Sequence, residues 1–285
     1  MRLRRWSIVA VAAALPLVVA ACGSSNKGGG GGGGAATLNG AGSTFAAPLY
    51  SEWGSKLKGD GVTINYQPVG SGAGVAQLTA GTVAFAGTDP PMKPEEIAAA
   101  EKKGQPLHFP TAFGAITVAY NLSGVKSGLK LDGKTVADIF MGKVKTWNER
   151  EIASQNPGVK LPSTKITVVH RSDESGTTKG FTDFLSAYSS EWANSVGSDK
   201  TVKWPTGTGA KGNDGVAGAI KQTPGSIGYV EQAYALQNNF TVAAVKNKAG
   251  KYVPPTLAST SAAGDGVKVP ADLRFTIIDS SNPSA

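Results

Sequence analysis

The chain has 285 residues, a formal net charge of +8 and 40% hydrophobic residues. Its length is sufficient for two globular domains. Its single cysteine leaves no internal disulfide framework to predict. The lysines and arginines form no cluster of the kind that binds nucleic acid, so a nucleic-acid partner is not expected.

The first residues have the features of a secretion signal. Three arginines among the first five residues precede the apolar run 8–19, which is too short to span a membrane. The run Val19-Ala-Ala-Cys22 resembles a bacterial lipobox, which implies cleavage before Cys22 and lipidation of that cysteine. We therefore predict a signal peptide at 1–21 and a lipid anchor to the cell membrane at Cys22; an ordinary secretory signal with an incidental cysteine is the alternative. Loss of 1–21 removes three arginines and no acid, which lowers the net charge from +8 to +5.

Residues 22–36 contain seven consecutive glycines, Gly28 to Gly34. Such a segment has almost no apolar surface to bury, so it is predicted to be a flexible tether. Together with the anchor, it would hold a folded body close to the outer face of a membrane.

From residue 37 onward, short apolar strands alternate with amphipathic helices, which predicts an α/β fold. The predicted strands are 62–66, 83–86, 113–121, 166–169 and 226–230. The predicted helices are 45–57, 74–80, 94–103, 135–141, 147–154, 181–188 and 215–221.

The segment Arg171-Ser-Asp-Glu-Ser-Gly-Thr-Thr178 joins a predicted strand to a predicted helix. A helix N-terminus presents unpaired N–H groups and a partial positive charge, and an arginine adds a planar pair of donors, so this junction suits an oxyanion. Two other junctions, 40–45 and 70–74, also place small or hydroxyl residues before a helix. Each alone suits an ordinary turn or helix cap. Three of them together with an arginine indicate an anion site.

These motifs carry a family resemblance. Residues 37–285 resemble the phosphate-binding lipoprotein of bacterial high-affinity phosphate ABC transporters. The matching runs are Gly40-Ala-Gly-Ser-Thr-Phe-Ala-Ala-Pro-Leu-Tyr50, Gly70-Ser-Gly-Ala-Gly74, Thr88-Asp89, Arg171-x3-Ser175-Gly-Thr177, Gly212-Asn-Asp-Gly215 and Ser226-Ile-Gly-Tyr-Val-Glu-Gln-Ala-Tyr234. The resemblance implies a two-lobed, class II fold like that of periplasmic binding proteins, with lobe I at 37–113, lobe II at 114–285 and the ligand cleft between them.

The resemblance also implies which residues bind phosphate. In lobe I they would be Thr44, the backbone N–H of Phe45, Ser71 and Asp89. In lobe II they would be Arg171, Ser175, the backbone N–H of Gly176, and Thr177, with Asp173 supporting the arginine.

Three further expectations concern this site and its surroundings. Phosphate near neutral pH carries a proton that Asp89 can accept, whereas fully ionised sulfate would face that carboxylate with an unpaired oxygen. Glu174 stands where relatives often have glycine, and it adds an acid beside the site. The family usually continues with a strand that returns to lobe I, followed by further helices, whereas this chain ends at Ala285. We therefore expect 37–113 to expose apolar surface.

The sequence thus predicts an extracytoplasmic protein that captures inorganic phosphate and delivers it to the membrane permease subunits of an ABC transporter. No catalysis, cofactor or metal is expected. The alternatives are a phosphate-ester hydrolase with Ser175 as nucleophile, and a binding protein for another tetrahedral oxyanion, sulfate. A hydrolase would need a general base, but His170 is predicted to lie on the opposite face of its strand, and His108 lies in a connecting segment.

Overall fold

The computed structural model describes residues 36–285, so the predicted signal peptide, Cys22 and the tether up to residue 35 lie outside the described residues. The first strand begins at Ala36, one residue before the folded body was expected to start. Among residues 36–285, no helix combines the length and the apolar character needed to cross a membrane.

The described chain begins with a three-stranded parallel sheet, here called the N-terminal sheet. Its strands are β1 (Ala36–Gly42), β2 (Val62–Pro68) and β3 (Phe85–Gly87), in the order β2-β1-β3. The helices of this part are α1 (Ala47–Leu57), α2 (Ser71–Ala80) and α3 (Pro94–Ala100), with a 3-10 turn at Lys58–Asp60. Because all three strands are parallel, their carboxyl ends meet at one edge, and the loops that follow Gly42, Pro68 and Gly87 lie side by side.

The rest of the chain contains two more sheets. Its strands are β4 (Ile116–Asn121), β5 (Lys130–Leu131), β6 (Thr167–Arg171), β7 (Thr208–Ala210), β8 (Ser226–Glu231), β9 (Thr241–Val242), β10 (Ala244–Lys246) and β11 (Tyr252–Val253). A five-stranded sheet, here called the central sheet, has the order β7-β6-β8-β4-β9, and a small sheet has the order β11-β10-β5. The helices are α4 (Gly133–Phe140), α5 (Arg150–Ala153), α6 (Gly176–Tyr188), α7 (Ser190–Ser195), α8 (Gly212–Gln222), α9 (Gln232–Gln237) and α10 (Leu257–Ala263).

The register of the central sheet brings several strand ends together. Strand β6 pairs in parallel with both β7 and β8, so the carboxyl ends of these three strands share one edge. Arg171 and Glu231 are the last residues of β6 and β8. The turn after β7 leads directly into α8 at Gly212. In α/β folds, ligands bind at the carboxyl ends of strands, so this edge is where a site is expected.

Both faces of the central sheet are covered. On one face, Tyr120 of β4 and Tyr229 of β8 pack with Phe140 of α4 and Phe181 of α6 in the largest buried cluster. On the other face, Val230 of β8 packs with residues of α8 in a second cluster. Tyr229 and Val230 lie on opposite faces because successive side chains of a strand alternate. The central sheet is therefore a rigid support for the loops at its edge.

The region around the N-terminal sheet is less well covered. Helix α1 contains no buried residue. The large apolar side chains exposed between 36 and 113 are Leu38, Trp53, Leu57, Leu107, Phe109 and Phe113. This agrees with the expectation that 37–113 exposes apolar surface.

The predicted α/β class is confirmed, and the differences lie mainly at the ends of elements. Helices α2, α6 and α8 begin at Ser71, Gly176 and Gly212, three to five residues earlier than predicted. The added residues are small or polar, which gives no apolar periodicity, but they begin these helices at the loop junctions. The helix starts and the strand ends thus face the same region of the molecule.

Candidate functional site

The loops of the N-terminal sheet contact the loops of the central sheet at the predicted anion site. The Ser71 hydroxyl accepts a hydrogen bond from the backbone N–H of Gly176 (3.2 Å). The Thr44 hydroxyl accepts two hydrogen bonds from Asn213, from the backbone N–H (3.2 Å) and from Nδ2 (2.8 Å). Residues that are more than 100 positions apart in sequence therefore meet in one buried cluster.

The N-terminus of α6 lies at the centre of this contact. Ser175 is fully buried and caps the helix, because its Oγ accepts a hydrogen bond from the backbone N–H of Thr178 (3.0 Å). Gly176 follows, and a Cβ there would lie 2.4 Å from Asp89 Oδ2 and 2.6 Å from Ser71 Oγ. Glycine at this position therefore permits the opposing loops to approach the helix N-terminus.

The loop before α2 also fits closely against the second half of the chain. Gly70 has a φ of +97°, which a residue with a side chain rarely adopts. A Cβ at Gly70 would in addition lie 2.6 Å from Asp173 Oδ2. Gly72, the second residue of α2, donates its N–H to the backbone oxygen of Glu174 (3.0 Å). The Glu174 residue itself is exposed, and its carboxylate lies beside Gly72 on the outer side of the cluster.

Arg171 and Asp173 form a buried ion pair. The guanidinium donates from Nε to Oδ1 (2.7 Å) and from Nη2 to Oδ2 (2.6 Å), and the arginine side chain is only 1% exposed. The Gly212 backbone N–H donates to the same carboxylate (3.0 Å). Burial opposes the charge of Asp173, but the hydrogen bond and charge of Arg171 outweigh it and lower the pKa of this carboxyl. Nη1 of the arginine points instead toward Thr177 Oγ1 (3.4 Å).

Two further carboxyl groups, Asp89 and Glu231, approach the Thr177 hydroxyl. Thr177 Oγ1 lies 2.9 Å from Glu231 Oε1 and 3.5 Å from Asp89 Oδ2. Removal from water raises the pKa of Asp89, against the effects of the Ser43 hydroxyl, Arg171 and two other hydroxyls. Burial and the charge of Asp89 raise the pKa of Glu231 well above its usual value. The site therefore combines hydroxyl and N–H donors with acids that resist ionisation.

The predicted ligand residues lie in this cluster, with one difference in detail. The backbone N–H of Phe45, predicted to bind the anion, donates here to Ser43 Oγ (3.0 Å). An anion would have to replace Ser43 as its acceptor. The other predicted residues, Thr44, Ser71, Asp89, Arg171, Ser175, Gly176 and Thr177, surround one another as described above.

Three residues of the cluster were not predicted from the sequence: Ser43, Asn213 and Glu231. Each lies inside one of the sequence runs that carry the family resemblance, which is the signal that could have pointed to them. Nothing in the local pattern of hydrophobic residues marks them, because their partners are distant in sequence. Asn213 is a clear example, since its side chain bridges Thr44 and the backbone N–H of Glu231.

Neither histidine is placed to act as a general base for Ser175. The ring of His170 stacks on Trp204 with centroids 4.7 Å apart and planes inclined by 12°, and its Nδ1 contacts the backbone oxygen of Arg171. His108 Nε2 accepts the N–H of Met92 (3.2 Å). The chain has only these two histidines, and neither contacts Ser175. Residues 36–285 also contain no group of three or more His, Cys, Asp or Glu side chains placed to hold a metal ion.

Comparisons with known proteins point in one direction. The family model of the PBP superfamily domain matches residues 28–278. The phosphate-binding protein PstS of Pasteurella multocida is 48% identical over 229 residues, which cover 80% of this chain and 65% of that protein. The phosphate-binding protein PstS of Haemophilus influenzae is 46% identical over 234 residues, which cover 81% of this chain and 69% of that protein.

The chain is also similar to a solved structure of a phosphate-binding protein. A high-affinity periplasmic phosphate-binding protein (PfluDING), solved with bound phosphate, is 27% identical and has a TM-score of 0.65, covering 87% of this chain and 72% of that one. The chain spans just under two thirds of the Pasteurella multocida protein, at 65%.

Proposed function

The chain belongs to the PBP superfamily and, within it, to the family of phosphate-binding proteins, and from this premise we propose that it captures inorganic phosphate. In this proposal, the protein works outside the cytoplasm and passes phosphate to the permease subunits of an ABC transporter. It performs no covalent chemistry. The observation that carries the proposal is the meeting of Asp89 and Ser71 with Arg171 and Thr177 at the N-terminus of α6.

The proposed phosphate ligands come from both halves of the chain. The first half supplies Thr44, Phe45, Ser71 and Asp89. The second half supplies Arg171, Ser175, Gly176 and Thr177, with Asp173 orienting the arginine. We place the boundary between the two lobes at residues 113 and 114, so that the anion would bridge lobe I (37–113) and lobe II (114–285).

The donors of this set suit a tetrahedral anion. Backbone N–H groups at the start of α6 and the hydroxyls of Ser71 and Thr177 are dipoles that need no counter-ion of their own. Arg171 adds a fixed positive charge, which its pairing with Asp173 holds in place. Closure of the lobes would exclude water and strengthen these interactions, because electrostatic attraction grows as the local dielectric constant falls.

Asp89 would provide selectivity. A protonated phosphate oxygen can donate to its carboxylate, whereas sulfate has no proton to give and would leave two negative groups in contact. Of the two alternatives from the sequence, the geometry described above gives no support to a hydrolase. A sulfate-binding protein remains the alternative that a competition experiment decides.

The anchor belongs to the same proposal. Cleavage after residue 21 and lipidation of Cys22 would tie the folded body to the cell membrane through the segment 22–36. The basic start, the apolar run and the small residues before Cys22 support this. Replacement of Cys22 by serine should release the protein from membranes into the soluble fraction, whereas continued membrane association would contradict lipidation at this residue.

Calorimetric titration tests the central claim. Phosphate should bind the purified chain, and sulfate at a hundredfold excess should not displace it. Bound phosphate should also raise the melting temperature, because a ligand that binds only the folded state stabilises it. Tighter binding of sulfate would overturn the proposal in favour of the other anion, and turnover of a chromogenic phosphate ester that Ser175→Ala abolishes would favour the hydrolase.

A further inference from the structure

Glu231 is a buried carboxyl group that the proposed phosphate ligands leave without a role. It is the last residue of β8, in the middle of the central sheet, and is only 3% exposed. Its backbone N–H donates to Asn213 Oδ1 (2.9 Å), which fixes the end of the strand at the site. Its Oε1 lies 2.9 Å from Thr177 Oγ1. The group therefore contacts a proposed ligand residue directly.

The charges of the cluster do not favour ionisation of every acid. The positive charge of Arg171 is already matched by Asp173 at 2.6 Å. If Asp89 and Glu231 were both ionised, the cluster would carry two further negative charges before any anion arrived. Burial and like charges both disfavour such a state. One of the two acids is therefore expected to keep its proton.

The hydrogen-bond partners indicate which acid this is. The carboxylate of Asp89 receives support from the hydroxyls of Ser43, Ser71 and Thr177. The Glu231 carboxyl has one hydrogen-bonding partner among residues 36–285, the Thr177 hydroxyl. Hydrogen bonds to a carboxylate favour its charged form, so Asp89 is the better place for the charge and Glu231 the better place for the proton.

The protonation of Glu231 decides what the Thr177 hydroxyl can do. A hydroxyl has one proton to donate and can accept two hydrogen bonds. If Glu231 were ionised, it would take the Thr177 proton, and an anion would lose a donor and face a carboxylate. If Glu231 is neutral, its own O–H donates to Thr177 Oγ1, and the threonine proton is free for the anion.

We propose that Glu231 is a positioning residue of the anion site: it is a neutral carboxylic acid that donates to Thr177 and so directs the threonine hydroxyl toward the bound anion. This inference rests on the proposed function, because phosphate is the anion in question. It adds to the site a second acid, which donates a hydrogen bond where Asp89 accepts one. Asp89 accepts a hydrogen bond from the ligand, while Glu231 donates one to the residue that holds the ligand.

Two substitutions separate this role from its alternatives. Glu231→Gln keeps the shape and a donor group, so phosphate affinity at pH 7 should stay within about threefold of the wild type. Glu231→Met fills a similar volume without a donor, and the Thr177 hydroxyl is then expected to turn toward Asp89. Phosphate affinity should fall at least tenfold in that variant. Circular dichroism melts of both variants would establish that they are folded before titration.

The other outcomes overturn the inference. Equal losses of phosphate affinity in both variants would mean that Glu231 acts as an ionised hydrogen-bond acceptor. Unchanged affinity in both would mean that it has no part in binding. If the methionine variant kept its phosphate affinity and the glutamine variant lost it, Glu231 would contribute to binding through packing alone.

A second measurement needs no ligand. The infrared difference spectrum between wild type and Glu231→Gln at pH 7 should show a carboxylic-acid carbonyl band for the wild type. The same comparison for Glu191→Gln, an exposed glutamate, should show a carboxylate band instead. Absence of the acid band for Glu231 would overturn the inference. Failure of the wild type to bind phosphate would overturn the proposed function, whereas the infrared result would still decide whether Glu231 holds a proton.

Discussion

The guanidinium of Arg171 donates two parallel hydrogen bonds to the carboxylate of Asp173, two residues further along the chain, and both side chains are almost fully enclosed. This pairing leaves Nη1 free to point at Thr177 and the anion site. A buried ion pair is costly to break, because the remaining charge loses its partner but stays out of water. The pair is therefore a structural element of the site that is proposed to bind phosphate.

Asp173→Asn should destabilise the ligand-free protein by about 3 kcal/mol, since Arg171 would stay buried without its counter-ion. Phosphate should recover part of the lost melting temperature, because the anion supplies the missing negative charge. The chain offers a matched control in Arg274 and Asp272, which have the same spacing but lie exposed. Asp272→Asn should leave stability nearly unchanged, because exposed ion pairs contribute little. Denaturant unfolding with and without phosphate measures both effects, and equal losses in the two variants would contradict the argument.

Asp89→Asn should leave the fold intact but reduce discrimination between phosphate and sulfate by at least tenfold. The carboxylate repels an oxyanion that has no proton to share, and an amide removes this repulsion. Calorimetric competition between the two anions measures the ratio. An unchanged ratio would show that Asp89 does not carry selectivity.

Gly176→Ala should weaken phosphate binding by more than a hundredfold. The added methyl group would overlap with Asp89 and Ser71, both at less than 3 Å, and would hold the opposing loops apart. Gly218→Ala is the matched control, because Gly218 is also a helical glycine but has open space around it. That variant should bind phosphate normally and gain about 0.5–1 kcal/mol of stability from better helix propensity. Similar affinities in both variants would contradict a tight contact at Gly176.

Two ion pairs connect the start of α3 to the segment before β7, and they should differ in their contribution to folding stability. Lys200 is enclosed beside Glu96, whereas Lys93 and Asp199 are both about 40% exposed. The backbone oxygen of Lys200 also accepts the N–H of Ser175, which links this pair to the site. Glu96→Gln should therefore cost about 3 kcal/mol, and Asp199→Asn less than about 1 kcal/mol. Equal losses of unfolding free energy in the two variants, measured in urea, would show that the enclosure of Lys200 does not strengthen its ion pair.

The sequence predicted the parts of this site that depend on local pattern. Ser175 and Gly176 stand between an apolar strand and an apolar-periodic segment, so a strand-to-helix junction was expected there, although α6 begins earlier than predicted. Glu231 could not be predicted in the same way, because it ends a buried strand and shows its role only through contact with Thr177. The early start of α2 at Ser71 was also missed, since small residues give no apolar period. Long-range contacts, and not local propensity, determine these features.

The ligand-free protein should lose stability as pH rises above about 4.5, the usual pKa of a glutamate. Burial and neighbouring charge raise the pKa of Glu231, and removal from water raises that of Asp89. An acid with a raised pKa in the folded state contributes its full stabilisation below the pKa of the unfolded chain. That contribution is lost as pH rises through the folded-state pKa. Glu231→Gln should therefore make the decline in melting temperature shallower.

Asp173 should affect the pH dependence of stability in the opposite direction to Glu231, so it serves as an internal control. Its pKa is lowered in the folded protein, so its contribution is present above the ordinary value of 3.8 and is lost as pH falls through the folded-state pKa. Burial opposes the positive charge of Arg171, but the hydrogen bond and charge of Asp173 outweigh it and raise its pKa, so Arg171 stays positive throughout. Asp173→Asn should thus lower stability by a constant amount at every pH well above 3.8 and make only the acid limb shallower, while Glu231→Gln should make the limb above pH 4.5 shallower. Thermal melts from pH 3 to 9 would contradict both assignments if the two variants changed the same limb.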